Sequence, residues 1–199
     1  MIKIKNILLI YALCHILFLS KIVLSEDIFL QNISKYINQL SEFKCSFIQY
    51  SPDGSISEGN MIYSKNKIKI NYLKPSLITF VAREKKAMYF NEDLLELHYF
   101  NPDKTAFSLF KNLFNLETAN KELYTLKKKD GVVSLTFNQT NIEEISKFEV
   151  IFQNSPIELK KIKWSNEDKE VSVFSIYNID TGVTINKKTF NMLNPIINN

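Results

Sequence analysis

From residue 43 to residue 81 the chain alternates apolar and polar side chains with a period of two, and short turn signals cut the alternation into four runs. Phe43-Lys44-Cys45-Ser46-Phe47-Ile48-Gln49 is the first run, and Pro52-Asp53-Gly54 supplies the turn after it. Ile56 to Tyr63 is the second and ends near Asn66. Lys67-Ile68-Lys69-Ile70-Asn71-Tyr72 alternates almost strictly until Lys74-Pro75 breaks it, and Leu77 to Val81 begins the fourth. Successive side chains of a strand point to opposite faces. Four such runs joined by short turns therefore predict adjacent antiparallel strands, each with one apolar face.

The same pattern continues to the C-terminal end. Ala87–Phe90 and Leu94–Phe100 flank Asn91-Glu92-Asp93, and Asn101-Pro102-Asp103 ends that hairpin. Glu122–Lys128 and Val132–Asn138 flank Asp130-Gly131, a pair that readily takes the positive φ of a two-residue hairpin turn. Phe148–Phe152 and Ile157–Trp164 pair around Asn154-Ser155-Pro156. Lys169–Asn178 and, after Asp180-Thr181-Gly182, Thr184–Phe190 read as the last strands. Asp27 to Leu40 reads instead as a helix, with Ile28, Phe29, Ile33, Tyr36, Ile37 and Leu40 on one broad face and acids at its positive end. The expected fold is mainly β, with about eleven strands and two or three helices.

The first 25 residues have the organisation of a secretory signal peptide. Lys3 and Lys5 form a basic start, Ile7–Leu19 is too short for a comfortable membrane span, and Val23-Leu24-Ser25 precedes the acidic Glu26-Asp27. The reading is cleavage near Ser25, leaving 26–199 as a single domain, with an uncleaved anchor as the alternative. Leu13 and His15 around Cys14 argue against lipid attachment there. Removing residues 1–25 takes away Lys3, Lys5 and Lys21 and no acid, so the net charge falls from +4 to +1. That balance gives no electrostatic footprint for nucleic acid, which is not an expected partner. Cys45 is the single cysteine left, so no internal disulfide forms, and its spacing from Phe43 and Phe47 puts it on their face as a buried thiol.

Little in the chain points to catalysis. His98 is the one histidine after residue 25, no Cys/His spacing fits a metal, and four glycines include no phosphate-binding loop. No serine sits in a nucleophile-elbow sequence. The acidic pairs Glu92-Asp93, Glu143-Glu144 and Glu167-Asp168 fall in expected turns, where carboxylates are solvated. The reading is a non-enzyme without cofactor or metal. What stands out is apolar surface. The stretch from Ala106 to Phe114 places Phe107, Leu109, Phe110, Leu113 and Phe114 within nine positions. Each of these side chains gains about 1.5–3 kcal/mol on burial, so such a helix does not sit exposed. Two uses fit it equally: a plain core helix, or a lid over a hydrophobic cavity.

The order of these elements resembles the outer-membrane lipoprotein carrier protein (LolA) family over residues 27–194. Phe43 to Gln49 is similar to the family's opening Phe-x-x-x-Phe-x-Gln strand, and Asp53-Gly54 and Glu58-Gly59 to its turn and next strand. Ile70-Asn71-Tyr72 through Pro75 is similar to its apolar segment before a proline, Met88-Tyr89-Phe90-Asn91 to its Trp-x-Tyr strand, and Thr105-Ala106-Phe107-Ser108-Leu109 to its Thr-Pro-x-x-Leu helix. Thr181-Gly182 followed by Phe190 fits its last strands.

The resemblance implies a curved, incomplete antiparallel β-barrel whose open concave side is covered by helices. It implies a periplasmic, monomeric carrier that shelters the acyl chains of lipoproteins. The implied partners are those acylated lipoproteins, an inner-membrane ABC-type release complex that supplies them, and an outer-membrane receptor that takes them. On this reading the cavity lies between the inner face of strands 58–90 and the helix 106–114. Ile68, Ile70, Tyr72 and Phe80 are its wall, and Phe107, Leu109, Phe110, Leu113 and Phe114 its lid. The chain departs from the family where a Lys-Arg-Pro tripeptide normally supplies an arginine to the lid. Here Tyr63-Ser64-Lys65-Asn66-Lys67 has none, and Lys65, the candidate stand-in, lacks the planar fork of arginine. Arg83-Glu84-Lys85 replaces an Asp-Gly turn, and Ala106 replaces the lid proline. Two alternatives accompany this expectation: an exported binder of other hydrophobic ligands with the same fold, and a membrane-tethered sensor or scaffold.

Overall fold

The computed structural model of the protein describes residues 29–113, 124–137, 140, 142 and 144–193. Two compact units are present, Met1–Tyr36 and Ile37–Asn199. The described part of the first is the beginning of helix α1, which runs over 29–39 and buries Ile33. Ile37 and Leu40, at the expected helical spacing, are buried in the second. Asp27 and Ile28 lie outside the described residues.

The second unit is one antiparallel sheet of eleven strands. In chain order these are β1 (Glu42–Tyr50), β2 (Ile56–Ser64), β3 (Lys67–Lys74), β4 (Ile78–Arg83), β5 (Lys86–Asn91), β6 (Glu96–Phe100), β7 (Tyr124–Lys129), β8 (Val132–Phe137), β9 (Lys147–Asn154), β10 (Ile157–Ser165) and β11 (Val171–Asp180). Their order across the sheet is β6-β5-β4-β3-β2-β1-β11-β10-β9-β8-β7. Two meanders therefore join along one seam, where β1 pairs with β11. Among the described residues the outermost strands are β6 and β7, and the chain between them carries helix α2 (Ala106–Leu113). The sheet is open and unclosed, as expected for an incomplete barrel.

Register carries the period-two pattern of the sequence across the whole sheet. Phe43 faces Tyr63, Cys45 faces Met61 and Phe47 faces Gly59. Tyr63 in turn faces Ile68, Met61 faces Ile70 and Gly59 faces Tyr72. Ile70 then meets Phe80, and Phe80 meets Tyr89. All of these share the inner face. Irregularities between Lys44 and Ser46, Glu58 and Gly59, and Leu159 and Lys161 add local twist. Curvature follows from the lining of one cavity. Tyr89 of β5 and Phe148 of β9 share its wall, although seven strand spacings of about 4.8 Å would set them roughly 34 Å apart in a flat sheet.

The turn at Asp130-Gly131 is as expected. Both residues have positive φ, 50° and 75°, and close the two-residue hairpin between β7 and β8. The strand expected over Thr184–Phe190 does not form. That stretch is irregular and ends in a short 3-10 turn, Lys187–Phe190, capped by Asn186, whose side chain accepts from the Lys188 N–H at 2.9 Å. The reason is topological: β11 already pairs with β1 on one side and β10 on the other, so no edge is free beside it. The segment instead crosses the outer face. There Phe190 packs with Val81 and Met88, and Ile62, Leu97, Ile185 and Met192 surround them.

Candidate functional site

A cavity of about 350 Å³ opens on the inner face of the sheet, within the range of small-ligand sites. Helix α2 lies against it, and local chemistry explains why the helix starts where it does. Thr105 is the N-cap: its Oγ1 accepts from the Phe107 N–H at 3.3 Å and donates to the Pro102 carbonyl at 2.8 Å. Lys111 in the last turn suits the negative end of the helix dipole and pairs with Asp103 at 3.4 Å. Phe107 and Phe110, one turn apart, then meet the sheet. Phe110 packs edge-on against Tyr63 at 5.7 Å, and Phe107 against Phe80 at 6.4 Å.

The structure divides the expected site residues. Ile68, Ile70, Tyr72, Phe80, Phe107 and Phe110 all line the cavity. Leu113 is buried and Leu109 half-buried, and neither contributes to the cavity wall. A single short helix presents only one of its faces to the sheet, so an apolar run on all sides cannot serve wholly as lid. Phe114 lies outside the described residues. Lys65 is the residue expected to gate the lid. It sits in the β2–β3 turn with φ 47°, its side chain is 78% exposed, and its partner is Glu42 at 4.0 Å; among the described residues it makes no hydrogen bond to α2.

The opposite wall is not legible in the sequence. Phe148, Ile162, Trp164 and Phe174, from β9, β10 and β11, complete the cavity with Met61, Ile78 and Tyr89. Alternation marks these strands as having an apolar face, but nothing local in a strand says which distant strand its face will oppose. Polar groups gather at one end. Tyr72 Oη donates to Gln49 Oε1 at 2.9 Å, and Gln49 and Ser57, register partners, both line the cavity. Burial, and secondarily the neighbouring Tyr89, raises the Tyr72 hydroxyl to about 12, so it stays protonated as a donor. The bond reaches across β2 because Gly59 leaves the space between Tyr72 and β1 open. Phe47 fills it, edge-on to Tyr72 at 5.2 Å and stacked on Phe174 at 4.4 Å.

Thr105, Ala106 and Trp164 are shared with a second, more polar cavity of about 550 Å³, rimmed by Glu144, Glu167, Asp168 and Glu170. Among the described residues no cluster of His, Cys, Asp and Glu is arranged to hold a metal, and no helix is long and apolar enough to cross a membrane. Cys45 is buried, and loss of solvation raises its thiol to about 12, which suits a packing role.

The family model described as "Outer membrane lipoprotein carrier protein LolA" matches residues 38–193. The chain belongs to the LolA family. That family is one of carrier proteins, and the LolA match covers the sheet, α2 and the cavity together. The open eleven-stranded sheet agrees with a LolA-like half-barrel. An uncharacterized conserved protein from Thermus thermophilus superposes with a TM-score of 0.55 at 11% identity, covering 83% of this chain and 92% of that one. MucB in complex with MucA(peri) matches at TM-score 0.42 and 13% identity, over 83% of this chain and 58% of that one. A putative outer membrane lipoprotein-sorting protein domain from Vibrio parahaemolyticus matches at TM-score 0.41 and 8% identity, over 76% and 89%. No curated protein matches the chain in sequence.

Proposed function

We propose that this LolA family member is an exported periplasmic carrier that shelters the acyl chains of lipoproteins and moves them from the inner to the outer membrane. The observation that carries the reading is the cavity itself: a mainly apolar wall of strand residues, bordered by Phe107 and Phe110, with few polar side chains in its lining. An acyl chain exposed to water costs about 0.8 kcal/mol per CH₂. A wall without many polar anchors hides that surface and yet yields the chain when a better apolar site meets it. Domain 26–199 then follows a signal peptide cut near Ser25, and the partners are an ABC-type release complex and an outer-membrane receptor. No step in this cycle needs catalysis by the carrier.

Release of lipoproteins from spheroplasts is the test. Added protein, prepared from residue 26 onward, should bring acylated lipoproteins into the soluble fraction, and mass spectrometry of the complex should identify them. A soluble fraction free of lipoproteins at saturating protein overturns the reading. The exposed Lys65 supports a second reading, a binder of another hydrophobic ligand, since the family's arginine contact to the lid has no counterpart among the described residues. Lipid without attached protein in the same mass spectrum would favour that one.

A further inference from the structure

The inner face of the sheet is graded, and the grading runs along the strands. At one rank of the register stand Ser57 and Gln49 together with Phe174 and Ile162, with Trp164 and Phe148 at the next rank. Further along β3 and β4 the wall residues are Ile70 and Phe80, which carry no nitrogen or oxygen in their side chains. Tyr72 stands between the two regions, and its hydroxyl donates to Gln49 Oε1 at 2.9 Å. That bond has a directional consequence. With its oxygen held by Tyr72, the Gln49 amide presents its NH₂ group as the free end. Among the described residues neither that nitrogen nor the Ser57 hydroxyl nor the Trp164 indole N–H has a hydrogen-bond partner, and all three residues line the cavity. Tyr89, the register partner of Phe80, adds one hydroxyl to the wall, and the Gln49, Ser57 and Trp164 donors stand toward the other end.

We infer that this end is a carbonyl subsite: the Gln49 amide, oriented by Tyr72, donates to the carbonyl oxygen of an acyl ester or amide, with Ser57 and Trp164 beside it. The hydrocarbon then runs from that end along Ile70 and Phe80. The inference rests on the acyl-binding reading above and deepens it, because it states how the chain is oriented and which group of the ligand is recognised. An acyl carbonyl is an acceptor without a donor, which matches a site of donors. A carboxylate offers the same acceptor with a charge that no Lys or Arg among the described lining residues compensates, so a neutral ester fits better.

The test uses three ligands of one chain length, two glycerol lipids and a fatty acid, against the full protein, followed by displacement of an apolar fluorescent probe. They are monopalmitoyl glycerol, its ether analogue 1-O-hexadecyl glycerol, which lacks only the carbonyl, and free palmitate at pH 7.5. The wild type should bind the ester roughly fivefold to tenfold more tightly than the ether, the range of one hydrogen bond. Gln49→Leu should bind the two equally, and Tyr72→Phe should reduce the ratio of ester to ether affinity. Equal affinities in the wild type, or a preference that survives Gln49→Leu, overturn the subsite and leave the carrier reading standing. Palmitate binding more tightly than the ester overturns the ester assignment in favour of a carboxylate. A wild type that binds none of the three overturns the acyl-binding reading itself.

Discussion

The ring of Phe47 occupies the space that a side chain at Gly59 would fill. The two are register partners across β1 and β2, and a Cβ built on Gly59 would lie 2.8 Å from Phe47 Cζ and 2.1 Å from the backbone oxygen of Asn71. Gly59 is needed here for close approach rather than for an unusual φ. The vacancy lets Phe47 stack on Phe174 and lets Tyr72 reach Gln49, so one missing side chain shapes both the seam and the polar end of the cavity.

Gly59→Ala should therefore destabilise the fold by about 1–3 kcal/mol, because the nearer clash is with backbone on β3 and cannot be relieved by a rotamer change. Chemical denaturation of the variant is the measurement. An unchanged midpoint would show that β2 and β3 part more easily than their register implies.

Ile70 and Phe110 separate cavity from core. Ile70→Glu and Phe110→Glu should lose acyl ligand while remaining folded, since each side chain borders a cavity rather than a filled interior. Phe43→Ala is the contrast: Phe43 is fully buried and lies outside the cavity wall, and its truncation should cost about 3–5 kcal/mol. Thermal unfolding and ligand displacement on the same three proteins give the answer. Unfolding of both cavity variants would mean that the cavity wall is simply core.

Lys65→Ala should change neither stability beyond about 0.5 kcal/mol nor lipoprotein release, because its only ion pair among the described residues is a solvent-exposed one at 4.0 Å. A release defect in Lys65→Ala, with Lys65→Arg restoring or exceeding wild-type release, would return the lysine to the gating role expected from its place in the sequence.

Alkaline pH should destabilise the protein by a defined route. Burial raises Cys45 from 9.0 to about 12, and raises Tyr63 and Tyr72 from 10.0 to about 12. In all three the folded state holds its proton more tightly than the unfolded state. Their contribution is fully present below about pH 9 and is lost as pH rises from there through 12. Stability should be level up to pH 9 as far as these groups are concerned, and then fall, with Cys45→Ala removing the earliest part of the decline. The same burial predicts that a thiol reagent at pH 8 labels Cys45 only after denaturant is added. Rapid labelling of the native protein would show that β1 opens readily.

Alternation alone carried most of the sheet. The runs from Phe43 to Val81 became β1 to β4, and Ile68, Ile70 and Tyr72 fall on the inner face because the strand period admits only two faces. Asp130-Gly131 announced its own turn, since the φ values that the hairpin needs are those these residues accept. Such properties are local, and a few consecutive residues determine them. Whether a greasy face becomes core or cavity is not local. Phe107 and Phe110 look like Leu113 in the sequence, yet only the first two meet open space, because the orientation of α2 is set by the curl of a sheet built from both halves of the chain. Thr184–Phe190 had the composition of a strand and became none, because β1 and β10 had already taken both edges of β11. Trp164 and Phe174 joined Ile70 and Phe80 around one cavity only through the β1–β11 seam, a pairing between segments more than 120 residues apart. Strands, turns and inward faces were determined by short-range chemistry. The cavity, its polar end and the path of the last segment were decided by which strands found each other.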